Sequence, residues 1–302
     1  MNFQCFIIMG HYSIKDLEKL SGIKAHTIRI WEQRYQLIEP KRTDTNIRFY
    51  DDEQLKYLLN VALLSKNGYK ISKICKWSDV EFLEQVKQVY EQTLLHDSSV
   101  QLDLDANDLI TSMIDMDALK FHRIYENSIR LIGFQKTITD LIYPYLEKVG
   151  SLWTMGQINP TQEHFISNLI RQKIIAAIDR LTENTEGDKF LLLLPEGEHH
   201  EIGLLLSHYI LKENGKRVYY IGQNLPLSDI PAAVISVDPD YLLTFMVDPS
   251  LTNNPESTIK ALHSAASGKK VLIAARVTPE MEKLQLDNVQ FLQGMQDLID
   301  IL

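Results

Sequence analysis

Residues 189–203 read KFLLLLPEGEHHEIG. An unbroken apolar run of this length, closed by a proline, has the pattern of a strand buried on both faces, as in a parallel sheet. The loop after it carries two adjacent histidines, His199 and His200, among carboxylates. His200 has Glu198 two residues before it and Gly203 three after it; His199 has neither at those offsets. A carboxylate behind an imidazole can hold one ring nitrogen and leave the other for a metal. Gly203, in the first turn of the helix expected next, removes a side chain where something bulky could approach.

Downstream the alternation repeats. KRVYYIG (216–222), DYLLTFMV (240–247), KKVLIAA (269–275) and NVQFLQ (288–293) are strand-like. EIGLLLSHYILKENG, PLSDIPAAVISV, ESTIKALHSAASG and PEMEKLQL between them have helical patterns. The spacing predicts a Rossmann-like α/β domain over 188–302 with a five-stranded parallel sheet. Ligands of such sheets sit at the carboxyl ends of the strands, where EGEHHEIG falls.

Upstream, apolar residues recur at three and four, as in LIGFQKTITDLIYPYLEKVGSLW and EHFISNLIRQKIIAAIDRL. This predicts a four-helix bundle over 106–185, broken once at WTMGQINPTQEH (153–164). The acidic stretch 79–105 lacks a clear period and reads as a linker. Before it, YSIKDLEKLSGIKAHTIRIWEQRY (12–35) predicts two short helices around a glycine turn, with Ser13 capping the first and Ile28 and Trp31 on the inner side of the second. That is a helix-turn-helix layout. A turn-rich segment follows with Pro40, Lys41, Arg42 and Arg48, and Asp51 or Asp52 can cap a third helix.

The net charge of −9 hides an asymmetry. Residues 11–78 hold 13 Lys and Arg against 8 Asp and Glu, a balance of +5, which leaves −14 for the rest of the chain. A basic N-terminal module on an acidic body is a pattern to test against DNA binding. Two cysteines exclude a disulfide scaffold and fit a reducing cytoplasm. No apolar run approaches the roughly 18 residues of a membrane helix. The first ten residues lack a basic region and a cleavage site, so no signal peptide is expected.

TIRIWEQRYQLIEPKRTDTNIRFY (27–50) resembles the winged DNA-binding module of MerR-type transcription regulators. The resemblance implies that 11–78 binds double-stranded operator repeats. Thr27, Arg29 and Tyr35 would serve the groove-facing helix, and Lys41, Arg42, Arg48 and Tyr50 the wing. Glu198-x-His200-x-x-Gly203 is similar to the cobalamin-binding motif of methionine synthase-like modules. Trp153, separated by nine residues from Glu163-His164, is similar to the signature of the light-sensing, cobalamin-dependent repressors of the MerR type.

That second resemblance implies a cytoplasmic regulator, not an enzyme, that responds to cobalamin, with adenosylcobalamin favoured. His200 would be the cobalt ligand. Trp153, Glu163 and His164 would serve the adenosyl side from the bundle, which caps the upper face of the corrin. Such a regulator works as a homo-oligomer, dimer or tetramer, with no membrane partner. Two alternatives are a regulator of this fold that has lost cobalamin and answers to a protein or another ligand, and a corrinoid methyl carrier. The chain departs from the family's nucleotide-tail pocket. Thr244-Phe245-Met246 stands in place of Ser-x-Leu, and Ala274-Ala275 in place of Gly-Gly. Thr154 stands where several relatives have a histidine that captures cobalt.

Overall fold

A computed structural model describes residues 11–43, 45–93, 98–153, 160–248, 255–284 and 286–302. The chain divides into two compact units, with the boundary between Ile166 and Ser167.

In the first unit, α1 (Ile14–Ser21) is closed by Gly22 at φ 73°, a left-handed conformation that glycine adopts without steric cost. Helix α2 (Ala25–Tyr35) follows at once, and Glu18 accepts a hydrogen bond from its first backbone N–H at 3.1 Å. Strands β1 (Lys41–Arg42) and β2 (Arg48–Phe49) pair antiparallel as a short wing. Asp51 caps α3 (Asp52–Lys66), accepting from the Gln54 N–H. Leu17, Leu20, Ile28, Leu55 and Leu58 form the small core, while Trp31 is only partly buried. A short α4 (Ile71–Ile74) follows.

The stretch expected to be a linker is helical in its described residues. Helix α5 (Asp79–Thr93) turns Phe82, Val86 and Val89 inward, and α6 (Ser98–Asp115) begins inside the same stretch. Those buried positions step by four and three, a helical period diluted by the acidic residues around them. Helix α6 packs against α7 (Ala118–Ile132), which Asp117 caps. Next come α8 (Phe134–Lys136), a π-helical turn (Thr137–Ile142) and α9 (Tyr143–Trp153). Helix α10 (Pro160–Asp179) completes the helical region, and Gln162 donates to the Ile114 carbonyl of α6 at 2.8 Å.

The second unit is a parallel sheet in the order β4-β3-β5-β6-β7. Its strands are β3 (Lys189–Pro195), β4 (Arg217–Leu225), β5 (Tyr241–Met246), β6 (Lys270–Ala275) and β7 (Val289–Leu292). The helices α11 (Glu201–Glu213), α12 (Ile230–Val237), α13 (Pro255–Ala265), α14 (Pro279–Glu282) and α15 (Met295–Ile299) intervene or follow. Phe190 to Leu194 are essentially inaccessible to solvent, as a central strand covered on both faces must be. One cluster packs Leu191, Leu193, Leu242 and Met246 against α12 and α13. The other packs Phe190, Leu192, Leu243 and Leu272 against α11 and α15. The strand order reverses between β3 and β5, so their carboxyl ends open a crevice.

Candidate functional site

The loop after β3 and the start of α11 line that crevice. Glu198 is fully buried there, yet it is a carboxylate. Its Oε2 accepts the backbone N–H groups of Val247 at 2.7 Å and Asp248 at 2.9 Å, just past β5. Its Oε1 accepts the His200 backbone N–H at 2.9 Å and lies 2.6 Å from the His200 Nδ1. Burial alone would raise the pKa of Glu198. The His200 ring and the three N–H donors outweigh it and bring the carboxyl down to about 2. One ionised side chain thus pins the loops after β3 and β5 together and faces the imidazole with an acceptor.

The consequence for His200 is chemical. A neutral imidazole that donates from Nδ1 presents its lone pair at Nε2, on the far side of the ring. The His200 side chain is 51% exposed. His199 is also exposed, but Glu198 turns its carboxylate to the neighbour. A single histidine suffices for a metal that brings its own equatorial ligands.

Gly203 has a different surrounding from the one its spacing suggests. A Cβ built there would lie 2.5 Å from Cε1 of Phe245 on β5. The space left by the absent side chain is already filled by an aromatic ring, which any side chain at 203 would have to displace. Phe245 pairs in register with Ala274, and Met246 with Ala275. Thr244 is fully buried and its Oγ1 has no hydrogen-bond partner among the described residues.

In the helical region, Glu163 Oε2 lies 2.6 Å from His164 Nδ1 in the first turn of α10. Trp153 is the last residue of α9; its side chain, like Thr154, lies outside the described residues.

The N-terminal unit offers Arg29, Lys41, Arg42 and Arg48 to solvent, with Thr27 and Tyr35 half-buried. Arg42 donates to Asn46 Oδ1 at 2.8 Å across the wing, and Lys41 pairs with Asp51 at 2.7 Å. Tyr50 corrects the expectation of a DNA contact. It is wholly buried, its backbone bridges to Tyr12, and its hydroxyl donates to Glu32. Glu32, which the sequence does not single out, also lies 3.9 Å from Arg48. Tyr50 therefore anchors the wing from inside.

Comparison with known proteins bears on the N-terminal and helical parts of this description. Residues 12–79 match the model of the MerR HTH family of regulatory proteins, and residues 105–177 match that of the B12 binding domain. The chain is thus a MerR-type, DNA-binding transcription regulator joined to a cobalamin-sensing module. It is similar to two Myxococcus xanthus proteins. One is the HTH-type transcriptional repressor CarH, 26% identical over 84% of this chain and 85% of the relative. The other is the repressor CarA, 26% identical over 76% and 74%. Over 66 residues it is 32% identical to the HTH-type transcriptional regulator MlrA of Escherichia coli, which covers 22% of this chain and 27% of that protein. Among solved structures, the monomethylamine corrinoid protein of Methanosarcina barkeri shares the fold. Its TM-score is 0.53 at 12% identity, covering 64% of this chain and 94% of that one. Among the described residues no helix is long and apolar enough to cross a membrane.

Proposed function

We propose that the chain is a cytoplasmic regulator that binds adenosylcobalamin through His200 and changes its hold on operator DNA when the cofactor is altered by light. The observation that carries this reading is the pair Glu198–His200, a half-exposed imidazole with its Nδ1 held by a buried, ionised carboxylate at the switch point of the sheet. The residues present fit a corrinoid at the metal: one oriented nitrogen, and a buried Thr244 hydroxyl still without a partner. Bound adenosylcobalamin would supply a cobalt–carbon bond that visible light breaks.

The chain's own residues have the following parts. Glu198 keeps the Nδ1 proton in place and aims Nε2 outward. Glu163, His164 and Trp153 serve the adenosyl side, and Thr244, Ala274 and Ala275 the nucleotide tail. Arg29 with Thr27 and Tyr35 addresses the groove, and Lys41, Arg42 and Arg48 address phosphate. The protein acts by regulation rather than catalysis, as a dimer or tetramer. Cofactor binding shifts a pre-existing equilibrium between a DNA-competent and an incompetent assembly, which requires different affinity for the two.

The test is a spectrum and a gel. Purified chain mixed with adenosylcobalamin in the dark should take up one cofactor per chain, and illumination should change both its absorption and its retention of operator DNA. Uptake without any light-dependent change in DNA retention would remove light from this reading. No uptake would remove the cofactor.

A further inference from the structure

The last turn of α6 is gripped from two sides, by the DNA-binding module and by the start of α10. Its own geometry is fixed first. Met116 leaves the helix in a left-handed conformation at φ 52°. The Asp117 N–H then returns to the Ser112 carbonyl at 2.9 Å, and the buried Ser112 hydroxyl donates to the Asp117 carbonyl at 2.9 Å. The final carbonyls of a helix need partners from outside it. The Ile114 carbonyl has one in Gln162 of α10, which is buried and donates from Nε2 at 2.8 Å. The next residue, Asp115, forms an ion pair with Lys56 of α3. Lys56 also pairs with Glu53 on its own helix, and its side chain is only 20% exposed.

Both grips lie within the first compact unit. They set two adjacent residues of one turn between elements with separate tasks. Lys56 stands on a core helix of the DNA-binding module, and Gln162 immediately precedes Glu163 and His164. A buried donor that loses its acceptor is left unsatisfied. The first residues of α10 therefore cannot slide without carrying the end of α6 along or breaking that bond. Resting on the proposed reading that Glu163 and His164 serve the adenosyl side, we infer that the end of α6 is the joint through which a change at the start of α10 reaches the DNA-binding module. Gln162, Asp115 and Lys56 are its positioning residues. They act through the turn, and none is assigned a contact with cofactor or DNA.

Two measurements on the full chain test the joint. The first needs no cofactor. Hydrogen exchange of the α3 amides should quicken at least about twofold in Gln162→Leu, although the Gln162 side chain bonds to α6 and not to α3. Asp115→Asn should quicken the same amides by a similar factor, and adding Gln162→Leu to it should change them no further. The second follows operator binding by fluorescence anisotropy in the dark and after illumination. Each variant should take up adenosylcobalamin with the parental spectrum, while the light-dependent change in operator affinity shrinks at least about threefold. Parental α3 exchange in Gln162→Leu overturns the joint whether or not the cofactor binds. A full light response in variants that take up the cofactor overturns it as well. If the parent takes up no adenosylcobalamin or ignores light, the functional reading fails, and exchange alone decides the joint. Should a thermal melt show Gln162→Leu to be unfolded, Gln162→Met, of similar length and without the donor, takes its place.

Discussion

His200 and His199 are neighbours of the same type, and only their partners separate them. The Glu198 carboxylate lies 2.6 Å from the Nδ1 of His200. Loss of such a partner behind a metal-bound imidazole typically costs about 10–100-fold in affinity. His200→Ala should therefore abolish cobalamin uptake or give a base-off spectrum. Glu198→Gln should weaken binding less, and His199→Ala should leave spectrum and affinity unchanged. A His199 variant that loses the cofactor while the His200 variant keeps it would reverse the assignment. Another histidine carries a pH prediction. Burial, then the charge of Lys212, lowers the pKa of His208 from 6.5 to about 4, against a smaller opposite pull from Glu183. The folded state then binds this proton less readily than the unfolded chain. Stability is complete above pH 6.5 and declines as pH falls toward 4. The lowered carboxyl of Glu198 contributes loss only below its ordinary value of 4.5, so it does not overlap the upper part of the His208 fall. His208 stacks on Tyr220 at 5.3 Å between centroids, a contact phenylalanine can keep. His208→Phe should flatten the fall in melting temperature across that upper part, and a slope equal to the parent's would assign it to another group.

At the scale of elements, the contact between α11 and β5 decides whether Gly203 belongs to a ligand or to the fold. An added methyl would meet the Phe245 ring at 2.5 Å. Overpacking of this kind typically costs about 1–3 kcal/mol. Gly203→Ala should destabilise the α/β unit by that amount in urea, and Phe245→Ala in the same chain should recover much of it. Additive effects would mean that the two side chains do not meet. This contact also marks the limit of what the sequence discloses. The five strands and their order along the chain were legible, because fully buried parallel strands read as apolar runs. The Glu198–His200 pair was legible from its spacing, since two residues around a tight loop have few ways to meet. Phe245 was not, because its neighbour is forty-two positions away and nothing local says which face of β5 meets α11. Tyr50 failed for a related reason. Its place beside Arg48 suggests a surface, but the side chain turns inward to Glu32, eighteen residues back. The α5 helix was missed although Phe82, Val86 and Val89 carry its period, because charged residues outnumber them in the window.

For the whole molecule, the separation of charge is the property that one residue or element cannot supply. The basic N-terminal stretch carries +5 and the remainder −14, so attraction to a polyanion is confined to one end and the acidic remainder repels it. A single small module buries too little surface for tight specific binding, so the chain should prefer repeated half-sites on a duplex. Arg42 and Arg48 pair across the two-stranded wing, both are exposed, and their hydrogen-bond and ion-pair neighbours, Asn46 and Glu32, belong to the same module. Residues so placed position a protein on phosphate and carry little sequence information. Arg42→Ala and Arg48→Ala in the full chain should each weaken binding by a similar factor on operator and unrelated DNA. Each should also make the slope of log affinity against log salt shallower by about 0.9, the contribution of one phosphate contact. Arg29→Ala, on the helix expected in the groove, should instead lower operator binding more than unrelated binding. Fluorescence anisotropy over a series of salt concentrations measures both effects at once. If the wing variants lose operator binding alone and keep the parental salt slope, the wing reads bases, and the division of labour between helix and wing is the reverse of the one proposed.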